Sequence, residues 1–254
     1  MEKMKRRCFA GFLAFIMFLG VFTILPETQV QAAANKALQI KVSFNGKRDS
    51  DKAYDQNNYV VTTGYKGTTK LKSGMTFSAK VYVPVAALKK DGDTVHIDNF
   101  INLNKKVKKE YQYVGSVNSN YTVMLMKAGK KIKLARWNIS KEKEEKIGNY
   151  ATYEKSGKYY VITLKNVPLK NKYIDVNGKS KKLDTSSTFM LSQGVSVVGT
   201  CSKVSGYVYL DNLQIKGTAK TISKITFNSK DYEWTNAYRS NAGKEVKVSI
   251  KKVS

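Results

Sequence analysis

The chain has 254 residues, of which 45 are lysine or arginine and 19 are acidic, so its formal net charge is +26. This length suits one large β domain, or one domain with a small appendage. The charge favours anionic partners such as acidic polysaccharides, wall teichoic acid or acidic lipid headgroups. Lysines spread through every segment argue against nucleic acid as a partner. They also fit a simpler interpretation, a solubilising surface that protects strand edges.

The first 34 residues have the features of an export signal. A basic start precedes the apolar run "FAGFLAFIMFLGVFTIL", and "VQAAA" offers small residues for cleavage. We therefore predict a signal peptide over 1–34, a protein that is secreted or associated with the cell wall, and no stable membrane anchor after cleavage. Retention of the apolar run as an anchor is the alternative. Cleavage would leave Cys201 as a lone cysteine, without a partner for an internal disulfide.

Apolar and polar residues alternate in most segments after the signal. The runs "LQIKVSF" (38–44) and "MTFSAKVYV" (75–83) each place their apolar residues on one side. Further runs follow between turn residues, at 93–103, 111–117, 121–127, 130–139, 158–165, 188–198, 206–215, 221–227 and 245–251. The pattern predicts an all-β fold, an antiparallel two-sheet β-sandwich of jelly-roll type over 35–217.

Two segments depart from this alternation. The charged stretch "SKEKEEKIGNY" (140–150) is predicted to form a helical turn on a connecting loop. Residues 218–254 are too few to fold alone, so they either add strands to the sandwich or begin a partial second module.

The sequence contains little that predicts catalysis. His96 is the only histidine and lies between Val95 and Ile97, which argues against Ser-His-Asp and Cys-His sites and against a multi-histidine zinc site. The acidic residues show no arrangement typical of glycoside hydrolysis. A noncatalytic protein is therefore predicted, with a polysaccharide lyase or hydrolase as the less favoured alternative.

The stretch "SGYVYLDNLQI" (205–215) places an acidic residue in an apolar strand. Strict alternation puts these residues on one face: Tyr207, Tyr209, Asp211, Leu213 and Ile215. An unpaired carboxylate inside a core is costly, so three alternatives remain for Asp211. It ligates a cation such as Ca²⁺, it pairs with a lysine, or a bulge at Asp211–Asn212 turns it outward.

Residues Gly206 to Ile215 resemble the closing strand of the jelly-roll carbohydrate-binding modules that are attached to secreted bacterial xylanases, glucanases and mannanases. In those modules a Gly-x-Φ-Tyr-Φ-Asp-Asn/Asp-Φ-x-Φ strand, where Φ is an apolar residue, ends the fold, and its aspartate commonly ligates a structural calcium. The resemblance implies a structural Ca²⁺ at Asp211. It also implies a secreted noncatalytic protein that binds a polysaccharide or a cell-wall glycan, and the net positive charge extends this prediction to anionic glycans.

Residues on the outward side of the predicted strands supply a candidate binding face. In 75–83 the outward positions include Lys80 and Tyr82, and in 130–139 they include Lys133 and Trp137. Together with Tyr113, these residues are predicted to form one face on which sugar rings stack. In the structural alternative another element covers Trp137. The alternative function is a cell-wall or polyanion-associated surface protein that binds by charge, and a sharp salt dependence would distinguish it.

Overall fold

A computed structural model describes residues 36–47, 56–219, 232–239 and 244–253. Of these residues 73% lie in strands and about 4% in helix, which confirms the predicted all-β class. The predicted signal peptide over 1–34 and the predicted strand over 221–227 lie outside the described residues. Within the described part, no helix is both long enough and apolar enough to cross a membrane.

The described residues form seventeen strands, and every pairing between them is antiparallel. Two 3₁₀ turns, Val85–Ala87 and Gly148–Tyr150, interrupt the strand sequence. In chain order the strands are β1 (Lys36–Phe44), β2 (Asn58–Tyr65), β3 (Thr69–Pro84), β4 (Thr94–Val107), β5 (Glu110–Asn118), β6 (Tyr121–Ala128), β7 (Lys131–Asn138), β8 (Lys143–Lys146), β9 (Ala151–Ser156), β10 (Tyr159–Pro168), β11 (Lys172–Asp175), β12 (Ser180–Lys182), β13 (Thr188–Thr200), β14 (Val204–Thr218), β15 (Tyr232–Arg239), β16 (Lys244–Glu245) and β17 (Val248–Lys252).

The strands pair in two groups. The first strand group has the order β9–β10–β3–β14–β1–β17. The second strand group runs β16–β15–β2–β13–β4, and β4 then pairs with both β5 and β6. Beyond them, β6 continues to β7 and β8, and β5 continues to β11 and β12. A short ladder between Thr188–Phe189 and Thr69–Lys70 joins the groups, so two separate sheets of a jelly roll stay a prediction.

Apolar side chains of both groups form one contiguous buried core. Phe77 and Val81 of β3 belong to it, as do Ile101 and Leu103 of β4, and each is fully buried. Burying a side chain of this size stabilises the fold by about 1.5–3 kcal/mol. Because successive residues of a strand point to opposite sides, residues of the other parity in these strands face away from the core.

A bulge in β14 changes which of its side chains enter the core. The pairing of β14 with β3 shifts register between Asp211 and Gln214, and Asn212 has a φ of 55°. The core residues are even-numbered before this shift and odd-numbered after it: Val208, Leu210, Leu213 and Ile215. The prediction that Asp211 shares a face with Leu213 and Ile215 is therefore wrong, because a bulge is present and Asp211 lies on the side away from the core.

Several local predictions are corrected by the strand pairings. The charged stretch 140–150 contains strand β8 and a 3₁₀ turn, in place of the predicted helical turn on a loop. The described parts of the C-terminal region add strands to both groups, since β15 pairs with β2 and β17 pairs with β1. Strand β2 has no predicted counterpart, because all eight of its residues are buried and the sequence does not alternate there.

Candidate functional site

The five residues predicted to form one binding face are divided between the two strand groups. Lys80 and Tyr82 lie in β3 of the first group, on the side away from the core. Lys133 and Trp137 lie in β7, and Tyr113 lies in β5, all in the second group. In the described residues β3 pairs with neither β5 nor β7. The five residues therefore do not lie on neighbouring strands, as a single binding face would require.

The aromatic cluster around Tyr82 packs against itself. The Tyr82 ring lies 6.3 Å from the Tyr209 ring at 77°, and Tyr209 lies 5.4 Å from Tyr159 at 87°. Tyr209 is fully buried, and burial raises the pKa of Tyr82, as do the charges of Asp211 and Glu154. Rings at nearly right angles form edge-to-face contacts, which do not make a flat platform for a sugar ring.

Asp211 is half-buried on the outer side of this first group. Its Oδ1 accepts a hydrogen bond from the Asn212 backbone N–H at 2.7 Å, and Lys80 is its register partner on β3. Among the described residues, no group of three or more His, Cys, Asp or Glu side chains could hold a metal ion. Calcium at Asp211 therefore stays a prediction, which rests on the resemblance alone.

Trp137 is 37% exposed, so neighbouring elements cover it only in part. It pairs in register with Thr122 of β6 and with Glu144 of β8, while the Lys133 ammonium contacts the Glu144 carboxylate. The neighbouring Arg136 guanidinium lies 4.2 Å from the ring centroid of Tyr121. This contact and an ion pair between Arg136 and Glu145 of β8 hold the end of β7 in place.

A set of polar side chains lies on the outer side of β4 and β5, on the same face of the second group as Trp137. We call Asn102, Tyr113, Ser116 and Asn118 the polar face. Asn102 lies opposite Ser116, and the neighbouring register pairs are Phe100 with Asn118 and Asn104 with Tyr113. Ile101 and Leu103 point into the core, so alternation directs Asn102 to the opposite side.

The polar face contains four buried polar atoms without hydrogen-bond partners within the described part of the chain. These atoms are Asn102 Oδ1, Tyr113 Oη, Ser116 Oγ and Asn118 Oδ1. Asn102 and Ser116 are each only 2% exposed. A buried polar group left without a partner costs about 1–3 kcal/mol, and native proteins retain few of them. The four atoms on adjacent strands are therefore compatible with a polar ligand or ordered water at this face, although Asn99 and Arg136 also have buried atoms without partners.

Burial also affects the ionisation of Tyr113. It raises the pKa of the Tyr113 phenol to about 12, although a contact with the neighbouring Ser116 hydroxyl, which does not have the geometry of a full hydrogen bond, lowers it. The phenol consequently keeps its proton at any physiological pH, so it remains able to donate a hydrogen bond.

Two glycines give the polar face its shape. A Cβ atom at Gly194 would lie 2.1 Å from carbons of the Phe100 ring, so the missing side chain lets this ring lie against β13. A Cβ atom at Gly115 would lie 2.3 Å from the carbonyl oxygen of Ile174, so this glycine admits the close approach of β11. Larger residues at either position would displace the neighbouring element.

Side-chain exposure along β5 rises from Ser116 toward the hairpin with β4. Ser116 is buried, Tyr113 and Asn118 are half-buried, and Tyr111 at the next outward position is 40% exposed. Hydroxyl and amide groups beside an accessible aromatic ring can bind a ligand that has both hydroxyl groups and apolar C–H surfaces.

Sequence reasoning selected only Tyr113 from this face. It missed Asn102, Ser116, Asn118 and the exposed Tyr111. The available signal was the stretch "FINLN" (100–104), in which two asparagines occupy the side opposite Ile101 and Leu103. The sequence did not indicate that these outward asparagines are buried.

We expect the stability of the fold to fall as the pH drops from about 7.5 through the unfolded histidine pKa of about 6.5, because of His96. Its Nε2 lies 3.2 Å from Thr200 Oγ1, and burial lowers its pKa against the opposing charge of Asp98. The folded state therefore favours neutral His96. Its contribution is fully present above the unfolded pKa of about 6.5 and is lost as the pH falls through that value toward the lower folded pKa.

Thermal melts of wild type and His96→Gln across this range check the expectation. Because His96 is the only histidine, the variant should lose most of the pH dependence. An unchanged pH dependence in the variant would show that another group is responsible.

The chain thus combines an all-β antiparallel fold with a partly buried polar face. The exposed Tyr111 lies beside one end of this face, and the exposed Trp137 lies on the same side of the second strand group. Comparison with protein-family models, with curated proteins and with solved structures found no match to this chain.

Proposed function

We propose that this protein is an exported, noncatalytic protein that binds a polysaccharide or a cell-wall glycan at the polar face. The observation that carries the proposal is the set of four buried polar atoms without partners. Sugar hydroxyls both donate and accept hydrogen bonds, so a bound glycan would satisfy these atoms without requiring a charge on the protein.

Each group of the polar face has a definite role in this proposal. The Oδ1 atoms of Asn102 and Asn118 accept hydrogen bonds from sugar hydroxyls, and the hydroxyls of Tyr113 and Ser116 donate or accept them. A hydrogen bond of this kind contributes a net stabilisation of about 0.5–1.5 kcal/mol. The exposed ring of Tyr111 supports the C–H side of a sugar ring.

Trp137 extends the same surface for a longer ligand. Trp137 lies opposite Thr122, which hydrogen-bonds to Asp98 of β4. Tyr113 lies opposite Asn104 of the same strand β4. The six-residue separation along β4 corresponds to about 20 Å, at roughly 3.3 Å a residue. An extended polysaccharide can therefore contact both ends, and we propose such a chain as the ligand.

A second candidate function rests on the formal net charge of +26. A protein with this charge also binds polyanions of the cell wall through its overall field, without using the polar face. Such binding is screened by salt, since the Debye length falls to a few ångströms, about 3 Å at 1 M salt.

Retention on a panel of insoluble polysaccharides and purified cell walls, measured at roughly 0.02 M and 0.5 M salt, tests the two candidates. The polar face predicts that retention on particular glycans persists in part at the higher salt concentration, because hydrogen bonds and stacking are not screened. Loss of all retention at 0.5 M salt would favour the charge-based candidate. No retention on any glycan at either concentration would contradict both.

A further inference from the structure

Two lysines meet the Asn118 end of the polar face. The Lys170 backbone N–H donates a hydrogen bond to the Asn118 carbonyl at 2.8 Å, which places Lys170 beside the end of β5. Lys172 begins β11, in which Ile174 pairs with Ser116. In an antiparallel pair, the residue two before Ile174 lies at the level of Asn118 and on the same side of the sheet.

These lysines repel each other. Burial lowers the pKa of the Lys170 ammonium, and the charge of Lys172 lowers it further. Neither lysine forms an ion pair with an acidic residue in the described part of the chain. An anionic group between the two ammonium groups would relieve this repulsion.

The opposite end of the polar face is also basic. The hairpin between β4 and β5 carries the exposed residues Lys106, Lys108 and Lys109 beside the exposed Tyr111. Lys108 has a φ of 57°. Hairpin turns usually place glycine or asparagine in this conformation, which is unfavourable for other residues. Lys108 thus occupies a turn position whose left-handed backbone conformation is unfavourable for lysine. Its side chain adds positive charge next to the polar face.

We propose that the ligand of the polar face is an anionic polysaccharide, whose charged groups lie at the two lysine-rich ends while its hydroxyls bind the four unpartnered polar atoms. This inference rests on the proposed function, and it adds the ligand's chemical class. The two lysine-rich ends favour an anionic substituent, and free carboxylates and sulfate monoesters are its two principal sources on polysaccharides. Because the ligand contacts both lysine-rich ends, it must carry charged groups along its length and not only at one end.

Matched polymers test the inference. Affinity gel electrophoresis compares polygalacturonate with its methyl-esterified form, and dextran sulfate with dextran, because each pair differs chiefly in charge. The variant Lys170→Gln/Lys172→Gln is compared with Lys251→Gln/Lys252→Gln, which removes the same charge from exposed positions in β17 of the first group. The single variant Lys172→Gln, at an exposed position, serves if the double variant melts at a lower temperature than wild type.

Wild type should bind a charged polymer at least about tenfold more tightly than its neutral partner, since hydrogen bonds to charged groups are stronger than those between neutral groups. The variant at 170 and 172 should lose about tenfold, and the control less than about twofold. The polymer pair that shows the difference identifies carboxylate or sulfate as the anion.

Three results would overturn either the inference of an anionic ligand or the proposed function on which it rests. Equal binding of charged and neutral polymers contradicts an anionic ligand but leaves glycan binding intact. Equal losses in the variant and its control show that the overall field binds the polymer, so the local site is wrong. If neither these polymers nor the polysaccharide panel is bound, the proposed function itself fails.

Discussion

The double substitution Tyr113→Phe/Ser116→Ala is expected to weaken glycan binding by at least about tenfold without lowering the free energy of unfolding. Both hydroxyls are buried without hydrogen-bond partners within the described structure. Removing a buried polar group that has no partner relieves its desolvation cost, so the stability should stay constant or rise. If the two hydroxyls instead had a structural role, each would have a hydrogen-bond partner, and removing the hydroxyl would destabilise the fold.

A matched control for this variant exists on the first strand group. Tyr207→Phe/Ser205→Ala removes the same two hydroxyls at exposed positions of β14, and it should leave glycan binding unchanged. Binding is measured by isothermal titration with the best-retained glycan, and stability by urea unfolding. A loss of more than about 1 kcal/mol in the polar-face variant would assign its hydroxyls to the fold.

The substitution Gly194→Ala is expected to lower the free energy of unfolding by about 1–3 kcal/mol, since overpacking a filled site forces neighbours out of position. The added methyl carbon would lie 2.1 Å from the Phe100 ring. That ring is 3% exposed, and Gly194 lies in β13 between β2 and β4, so neither the ring nor the strand can move aside freely.

Gly206→Ala is the matched control for this prediction. Gly206 also lies within a strand, but the atom nearest to its added Cβ would be a Pro84 side-chain carbon at 3.6 Å, an ordinary contact. This variant should be neutral or slightly more stable, because alanine restricts the unfolded chain. Equal urea midpoints for the Gly194 and Gly206 variants would contradict the packing described for Phe100.

The sequence contained enough information to predict the strands whose two sides differ in polarity. Alternation over 75–83 correctly predicted which residues of β3 face the core, including Phe77 and Val81. It failed where the chain departs from a simple period. Strand β2 is buried on both sides, and the register shift after Asp211 moves the core side from even to odd residues. A single residue with positive φ, Asn212, is enough to reverse the assignment of the residues before it.

The candidate site was predictable only in part, for a related reason. Alternation assigned Tyr82 and Trp137 to outward sides of their strands. It contains no information on which strands become neighbours, so the prediction placed residues of two different surfaces on one face. Asn102 has the sequence features of an ordinary solvated residue. Its burial depends on packing between strands distant in the sequence, such as β4 with β13. The absence of a hydrogen-bond partner for its Oδ1 is visible only once that packing is known.

The most direct test of glycan binding at the polar face is an NMR titration of the labelled protein with soluble fragments of the best-retained polysaccharide. We predict that the largest chemical-shift changes occur at the side-chain amides of Asn102 and Asn118 and at the Tyr113 ring. Shifts confined to the ring cluster of Tyr82 and Tyr207, with Asn102 and Asn118 unchanged, would contradict the assignment and place the binding site on the first strand group.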